Sequence, residues 1–383
     1  MKRLRELDFL RGIAILLVLL RHQSSFPMIG LMAWVGVDLF FVLSGFLVSG
    51  LLFREYLKFG NIQPKIFLIR RGFKIYPVYY LFTALYVVQR IINHNLNLKL
   101  LLADLLFLQN YVNTWGHAFT ASWSLAVEEH FYFLLVLVLW LGLTYKKLTL
   151  KNLTDHRTGI GPFEKGIFFI MTLCLLMRFY SNITFPEQMD TRFTLTHLRI
   201  DSLFAGVFVS YLYHFRFNYL THYFQSNKYL LCILAFTCIS WTPFVNVVSS
   251  SFARTIGFSL VYIAFAIVLM YILLTDDINE KLNRWFSARA VNCVSKIGYC
   301  SYSIYVIHTF VFIRLPKFLD RRDLHFSEYA VFFLSAALSI LIGIVMTYTI
   351  ERWFLNIRDR YYPRRRAEII PEHEKEGIRS QSI

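Results

Sequence analysis

Arg11 and His22 stand eleven residues apart in a run that is otherwise almost wholly apolar. On a helix that interval is three turns, so the two side chains share nearly one face, about 16 Å apart along the axis. An ionisable group at bilayer depth costs roughly 2.5–3.5 kcal/mol on insertion scales, and it therefore faces a protein interior or a wet cavity. Histidine exchanges a proton near neutral pH without a large shift. His22 thus fits a proton-transfer role, and it also fits an interfacial position at the outer end of its helix. The segment SWSLAVEEHFYF sets Glu128, Glu129 and His130 just inside another apolar stretch. Adjacent helical residues face different directions, so at most one of the two carboxylates can address a given partner. That carboxylate can orient His22 or neutralise an arginine if their depths match; capping a helix N-terminus is the competing reading.

A second kind of chemistry is offered by FLIRRGFKIYPVYY. Arg70, Arg71 and Lys74 precede an apolar helix near whose start Pro77 is tolerated. Basic side chains beside orphan backbone donors suit phosphates; they also suit plain anchoring on the cytoplasmic side. In GVDLFFVLSGFLVSG, Asp38 can cap its helix or answer a nearby charge, and Ser44, Gly45 and Gly50 permit close helix approach. Asp201 is expected to pair with Arg199 or another buried base, and Tyr302, Tyr305 and His308 lie along one further span. The five cysteines, Cys174, Cys232, Cys238, Cys293 and Cys300, form no CxxC pair, so neither a disulfide framework nor a metal site is expected.

The elements that must hold these residues follow from composition. The 383 residues are 56% hydrophobic and 17% charged, too apolar for a water-soluble globule and natural for lipid. The expected fold is all-α, a polytopic membrane bundle of about ten transmembrane helices, over 9–28, 33–52, 75–93, 123–143, 165–181, 198–215, 229–247, 256–274, 298–315 and 328–350. The net charge of +16 lies in short basic segments between spans, the pattern of positive-inside anchoring rather than of nucleic-acid binding. The segment 53–74 carries six basic residues against one acidic. Counting Leu98 to Phe107 as an eleventh span would put 144–164 and later basic loops outside. That stretch is therefore read as re-entrant or interfacial, and both termini as cytoplasmic. The chain divides into a membrane domain, 1–353, and a basic, mixed-charge cytoplasmic tail, 354–383. Its first helix reads as retained rather than as a removed signal peptide, because Arg21 and His22 interrupt the apolar run and no small-residue cleavage site follows.

Taken together, these segments resemble the integral-membrane acyltransferase-3 family, whose members include O-antigen and other glycan O-acetyltransferases. LDFLRGIAILLVLLRH is similar to the family's arginine followed after ten residues by histidine. GVDLFFVLSGFL is similar to its second-helix motif and IRRGFKIYP to its basic motif, with Lys74 where an arginine is common. SWSLAVEEHFYF resembles its Ser-Trp-Ser-Leu-x-x-Glu-Glu segment, and RIDSLFAG and SYSIYVIH its weaker downstream motifs. The resemblance covers roughly residues 7–350.

What the resemblance implies is an O-acyltransferase in a bacterial inner (plasma) membrane. Its donor would be acetyl-CoA or another acyl-CoA on the cytoplasmic side, with no metal. His22 would act as general base, with Glu128 or Glu129 orienting it or binding the acceptor. Arg70, Arg71 and Lys74 would hold the CoA phosphates, and Arg11 would line the donor tunnel. The acceptor would be a hydroxyl of a glycan, glycolipid or lipid-linked molecule, reached from outside beside membrane lipid. Trp115, His117 and Trp123 are candidates for contacting it. Some family members append a periplasmic hydrolase-like domain. This sequence has a short basic tail there, so the expectation is action alone or with a separate periplasmic or extracellular partner. The alternative from another class is a transporter or exporter, with the buried His, Arg and Glu residues forming a solute or proton path.

Overall fold

The computed structural model describes residues 4–22, 27–113, 115–145, 148–149, 153, 161–186 and 192–365. Residues 366–383, most of the expected tail, and parts of the expected 144–164 loop and of the first span lie outside them. The described residues form helices and connecting turns. In chain order the principal helices are α1 (Arg5–Leu20), α2 (Val35–Phe59), α3 (Pro64–Ile92), α4 (Leu98–Leu105), α5 (Ser122–Thr144), α6 (Pro162–Thr184) and α7 (Ile200–Phe215). They continue with α8 (Phe217–Ile239), α9 (Phe258–Leu274), α10 (Ala288–Tyr299), α11 (Ser301–Asp320), α12 (Glu328–Met346) and α13 (Arg352–Tyr361).

Among the described residues, six helical stretches are long and apolar enough to cross a membrane: Met28–Phe59, Pro64–Ile92, Ser122–Thr144, Pro162–Thr184, Ala253–Leu274 and Glu328–Tyr361, with Ile200–Phe215 a shorter apolar helix. Their outward faces carry large apolar side chains such as Phe133, Trp140, Leu176, Tyr180, Phe333 and Leu341. Water would penalise such a surface and lipid favours it. The chain is thus a polytopic helical membrane bundle. The stretch expected to be re-entrant or interfacial is the eight-residue α4. At 1.5 Å per residue it reaches about 12 Å, too short to span a hydrocarbon core.

Two small residues set the central packing. A Cβ placed on Gly45 of α2 would collide with the Leu203 carbonyl oxygen of α7, and one on Gly206 of α7 with the Val42 carbonyl oxygen of α2. The two backbones therefore touch reciprocally, as small-residue interfaces allow in membranes. Replacing Gly45 by valine is expected to destabilise the protein by about 1–3 kcal/mol or to prevent its accumulation, since overpacking forces backbones apart. Thermal unfolding in detergent checks this, and an unchanged midpoint would show that the contact is slack.

The close approach of α2 and α7 carries an ionic core. Arg199 donates to Asp38 at 2.7 Å and Arg178 of α6 donates to Asp201 at 2.6 Å; all four are buried. Asp38 thus answers a charge, and the partner of Asp201 is Arg178. Arg178 also donates to Ser259 Oγ at 2.8 Å and to the Leu198 carbonyl at 3.3 Å. Its sequence signal was a lone arginine inside an apolar span.

At the other end of the chain, a π-helical turn over Thr347–Glu351 joins α12 to α13. The widened turn leaves Glu351 facing inward, buried against Lys74 and Ser303, a placement that π-bulges commonly serve. The helix then runs on past Trp353 to Tyr361, so the first residues of the expected tail pack against α3.

Candidate active site: a polar passage through the bundle

Three adjoining cavities run through the bundle beside α1, α2, α3, α5 and α11. The first, about 490 Å³, opens where α2, α3 and α13 meet. Arg54, Arg70, Arg71, Lys74, Arg358 and Arg364 are on its wall, with Lys58 and Arg365 beside them and Glu55 the one acidic lining residue. So strong an excess of one sign focuses field into a cleft and attracts anions. The geometry is held from the C-terminal side. Asp359 receives Arg70 at 2.8 Å and Arg358 at 2.9 Å, the Tyr362 carbonyl accepts from Arg70, and Arg365 donates to Asn61 at 2.7 Å. Arg54, Arg358 and Arg364 escaped the sequence reading as site residues because they stand far apart in the chain and look like ordinary anchors.

Arg71 and Lys74 also line the second cavity, about 130 Å³, so the two adjoin. Its wall includes Arg11, Ser44, Ser124, Glu128, Tyr132 and Tyr302 among apolar side chains. Glu128 accepts from Ser44 Oγ at 3.0 Å and from Tyr132 OH at 2.6 Å. The guanidinium of Arg71 lies over the Tyr132 ring, 5.5 Å from its centroid. Lys74 pairs with Glu351, one residue past the expected span 328–350. Arg11 lies 4.0 Å from Asp8 on its own helix.

Val37 and Tyr305 line both the second cavity and a third, about 390 Å³. Tyr305 stands at the boundary: its oxygen lies 2.6 Å from Ser124 Oγ, and it donates to the Ala121 carbonyl at 3.0 Å. The third cavity holds Arg21, His22, Trp115, Trp123, Arg199 and His308. His22 is exposed to it. Its ring lies 5.1 Å from that of His308, edge to face, and 5.0 Å from Phe312. His308 is buried, and its Nδ1 sits 2.5 Å from the Tyr305 carbonyl. Because a carbonyl only accepts, that contact puts a proton on Nδ1 of His308. Arg199 reaches this cavity while stacked 3.8 Å above the Phe258 ring.

The three residues of the Glu-Glu-His run diverge, as helical geometry requires. Glu128 faces the second cavity, Glu129 accepts from Tyr76 at 3.1 Å, and His130 Nδ1 lies 2.7 Å from Thr196 Oγ1. Arg11, Arg71, Lys74 and Glu128 are thus brought together, and Arg70 joins Arg71 and Lys74 at the basic mouth. Glu129 is off the cavity wall, though within electrostatic range of Arg71 and Glu128. His22 lies at the opposite end of the series of cavities, beside the rings of His308 and Phe312. Of the aromatics considered for an acceptor, Trp115 and Trp123 line the third cavity, while His117 lines a smaller neighbouring one.

The membrane bundle thus holds three adjoining cavities in succession, with a basic mouth at one end and a histidine at the other. The chain belongs to the acyltransferase-3 family: residues 4–349 match its acyltransferase domain. Among curated proteins it is similar to peptidoglycan O-acetyltransferase OatA of Listeria monocytogenes, 32% identical over 159 residues, covering 36% of this chain and 25% of that protein. A putative O-acetyltransferase of Staphylococcus aureus is 29% identical over 228 residues, 56% of this chain and 35% of that protein. The putative peptidoglycan O-acetyltransferase YrhL of Bacillus subtilis is 30% identical over 156 residues, 37% of this chain and 24% of that protein. The matched stretches therefore span about a quarter to a third of these relatives. No solved structure matches.

Proposed function

We propose that this protein transfers an acyl group, most simply acetyl, from acyl-CoA at the cytoplasmic face to a hydroxyl of a cell-envelope glycan, glycolipid or lipid-linked acceptor. The observation that carries the proposal is the succession of three adjoining cavities, from the basic mouth through the space lined by Arg71 and Lys74, past Tyr305, to the cavity of His22. The mouth suits the phosphates of CoA, which arginine forks grip in pairs. The narrow middle cavity suits an extended pantetheine arm, and its apolar wall limits hydrolysis by excluding bulk water.

In the reaction so read, His22 takes the proton of the acceptor hydroxyl as its oxygen attacks the thioester carbonyl. The new C–O bond forms, the C–S bond breaks, and the thiolate of CoA leaves and is reprotonated. Arg11 steadies the donor in the tunnel, and Glu128 keeps the Ser44–Tyr132 side of that tunnel polar. Glu129, held by Tyr76, positions α3 against α5. Trp115 and Trp123 provide faces on which a sugar can stack.

The topology that goes with this reading has ten crossings: the six long apolar stretches together with α1, α7, α8 and α11. An even number puts both termini on one side, and the Lys/Arg-rich segments make that side the cytoplasmic face of a bacterial inner (plasma) membrane, where the basic mouth meets acyl-CoA and His22 faces outward. The names of the relatives favour glycans of the envelope, with peptidoglycan one candidate.

The test is transfer from acetyl-labelled acetyl-CoA to extracted envelope glycans and lipids by protein reconstituted in liposomes. Label in a glycan or lipid fraction is expected, at the expense of acetyl-CoA. Solute movement across the vesicle with no CoA released would instead make the passage a transport path.

A further inference from the structure

The outer cavity has a side branch that the route to His22 does not use. It holds about 170 Å³ between the end of α3, the 116–120 turn and α11. Thr120 and Thr309 line both spaces, so the branch adjoins the outer cavity. Two arginines, Arg90 and Arg314, are on its wall. Arg314 follows His308 by six residues on α11, roughly 9 Å further along the axis. Arg90 lies one turn beyond Tyr86, whose hydroxyl is 3.2 Å from Thr309 Oγ1.

Neither arginine belongs to a salt bridge among the described residues. Arg90 donates to the His117 carbonyl at 2.9 Å, a neutral acceptor, and Arg314 stands 5.8 Å from the Phe310 ring centroid. Asp104 is within electrostatic range of Arg90. Its oxygens accept from the backbone N–H groups of His117 at 3.1 Å and Ala118 at 2.5 Å, which fixes it behind the 116–120 turn; it offsets part of the Arg90 charge and leaves the branch a net excess of positive charge. The branch wall also includes Gln89, whose Oε1 is itself shielded from the cavity and has no hydrogen-bond partner among the described residues. Two arginines on one small wall, with a single acidic group set behind it, call for an anion.

We infer that this branch binds an anionic group, a phosphate or a carboxylate, carried by the hydroxyl acceptor, with Arg90 and Arg314 as its clamp. The acceptor is then an acidic saccharide or a phosphate-linked one, anchored by its charge while a nearby hydroxyl reaches His22. The identity of the occupant as an acceptor rests on the acyl-transfer reading; the anion site itself does not. A phospholipid headgroup carries the same phosphate chemistry, and the experiment below separates the two sources.

Binding of labelled glucose 1-phosphate is measured on the full chain in phosphatidylcholine nanodiscs, beside methyl glucoside, for wild type and for Arg90→Gln/Arg314→Gln. The basic cavity on the cytoplasmic face contributes alike to both proteins, so their difference reports the branch. Wild type is expected to show a class of glucose 1-phosphate sites that the double variant weakens at least tenfold, with no such difference for methyl glucoside. Arg90→Lys/Arg314→Lys is expected to recover part of that binding, which separates lost charge from lost fold. Equal binding by wild type and the glutamine variant, or no branch-dependent sites in wild type, would overturn the inference. Displacement of the branch-bound sugar when phosphatidylglycerol is added would assign the site to a headgroup and also overturn it; retention supports the acceptor. No acyl-CoA is present in the assay, so failure of the acyl-transfer reading shows separately, as absent product with binding intact.

Discussion

Replacing His22 by alanine is expected to lower acyl transfer by about 10²–10⁴-fold, the range that a positioned general base contributes, while acyl-CoA binding changes little. The expectation follows from where His22 sits. It lies at the end of the passage opposite the basic mouth, exposed to the outer cavity where an acceptor hydroxyl can arrive. Its neighbours His308 and Phe312 limit the orientations of its ring. The mouth that would hold the CoA phosphates is lined by other helices and by the end of the chain, so truncating His22 leaves that surface intact. The assay is initial transfer from labelled acetyl-CoA under saturating donor, with donor affinity measured separately. A variant that keeps more than a tenth of the wild-type rate would remove His22 from the chemistry. Loss of donor binding alongside transfer would mean that the substitution had disturbed the bundle.

The largest stability effect is expected at Arg178. Its side chain is buried and bonded to Asp201, Ser259 and the Leu198 carbonyl. Arg178→Leu keeps much of the apolar volume but leaves the Asp201 carboxylate buried without its cation. Breaking a buried pair from one side costs about 3–5 kcal/mol, and lipid offers no water to the orphaned group. Removing both charges with Arg178→Leu/Asp201→Leu is expected to recover much of that loss, because no unpaired ion remains. Thermal unfolding in detergent across the four proteins of this cycle reads the coupling. Equal destabilisation by the single and double variants would show that Arg178 acts through packing alone.

The recovery by the double variant also bears on why the network exists. Arg199, in the same ionic core, reaches the outer cavity while pairing with Asp38. Buried ion pairs give little net stability but do specify which faces meet. Here they fix α2, α6 and α7 in one register beside the wall of the outer cavity.

Much of this was legible in the amino-acid sequence, for reasons that are local. An apolar run long enough to cross a bilayer declares itself by composition, because backbone polar groups in lipid must be satisfied within their own helix. Arg11, His22, Arg70, Arg71 and the two glutamates stood out because an ionisable group inside such a run is expensive. Their order along the chain sufficed to suggest the family. Gly45 within a Phe-rich helix likewise signalled a close contact before its partner, Leu203, was visible.

What only the tertiary structure decided was which of these groups meet. Nothing in the chain order links Lys74 to Glu351, Arg70 to Asp359 or His22 to His308, separations of nearly three hundred residues in each case. Periodicity says that Glu128 and Glu129 face apart, but helix rotation and depth put Glu128 on the passage and Glu129 against Tyr76. The basic mouth is likewise assembled from two distant segments, and its C-terminal half reads in sequence as a plain charged tail. Side-chain type and spacing determine what a residue can do and how deep in the membrane it can lie; packing among helices determines what it does it to.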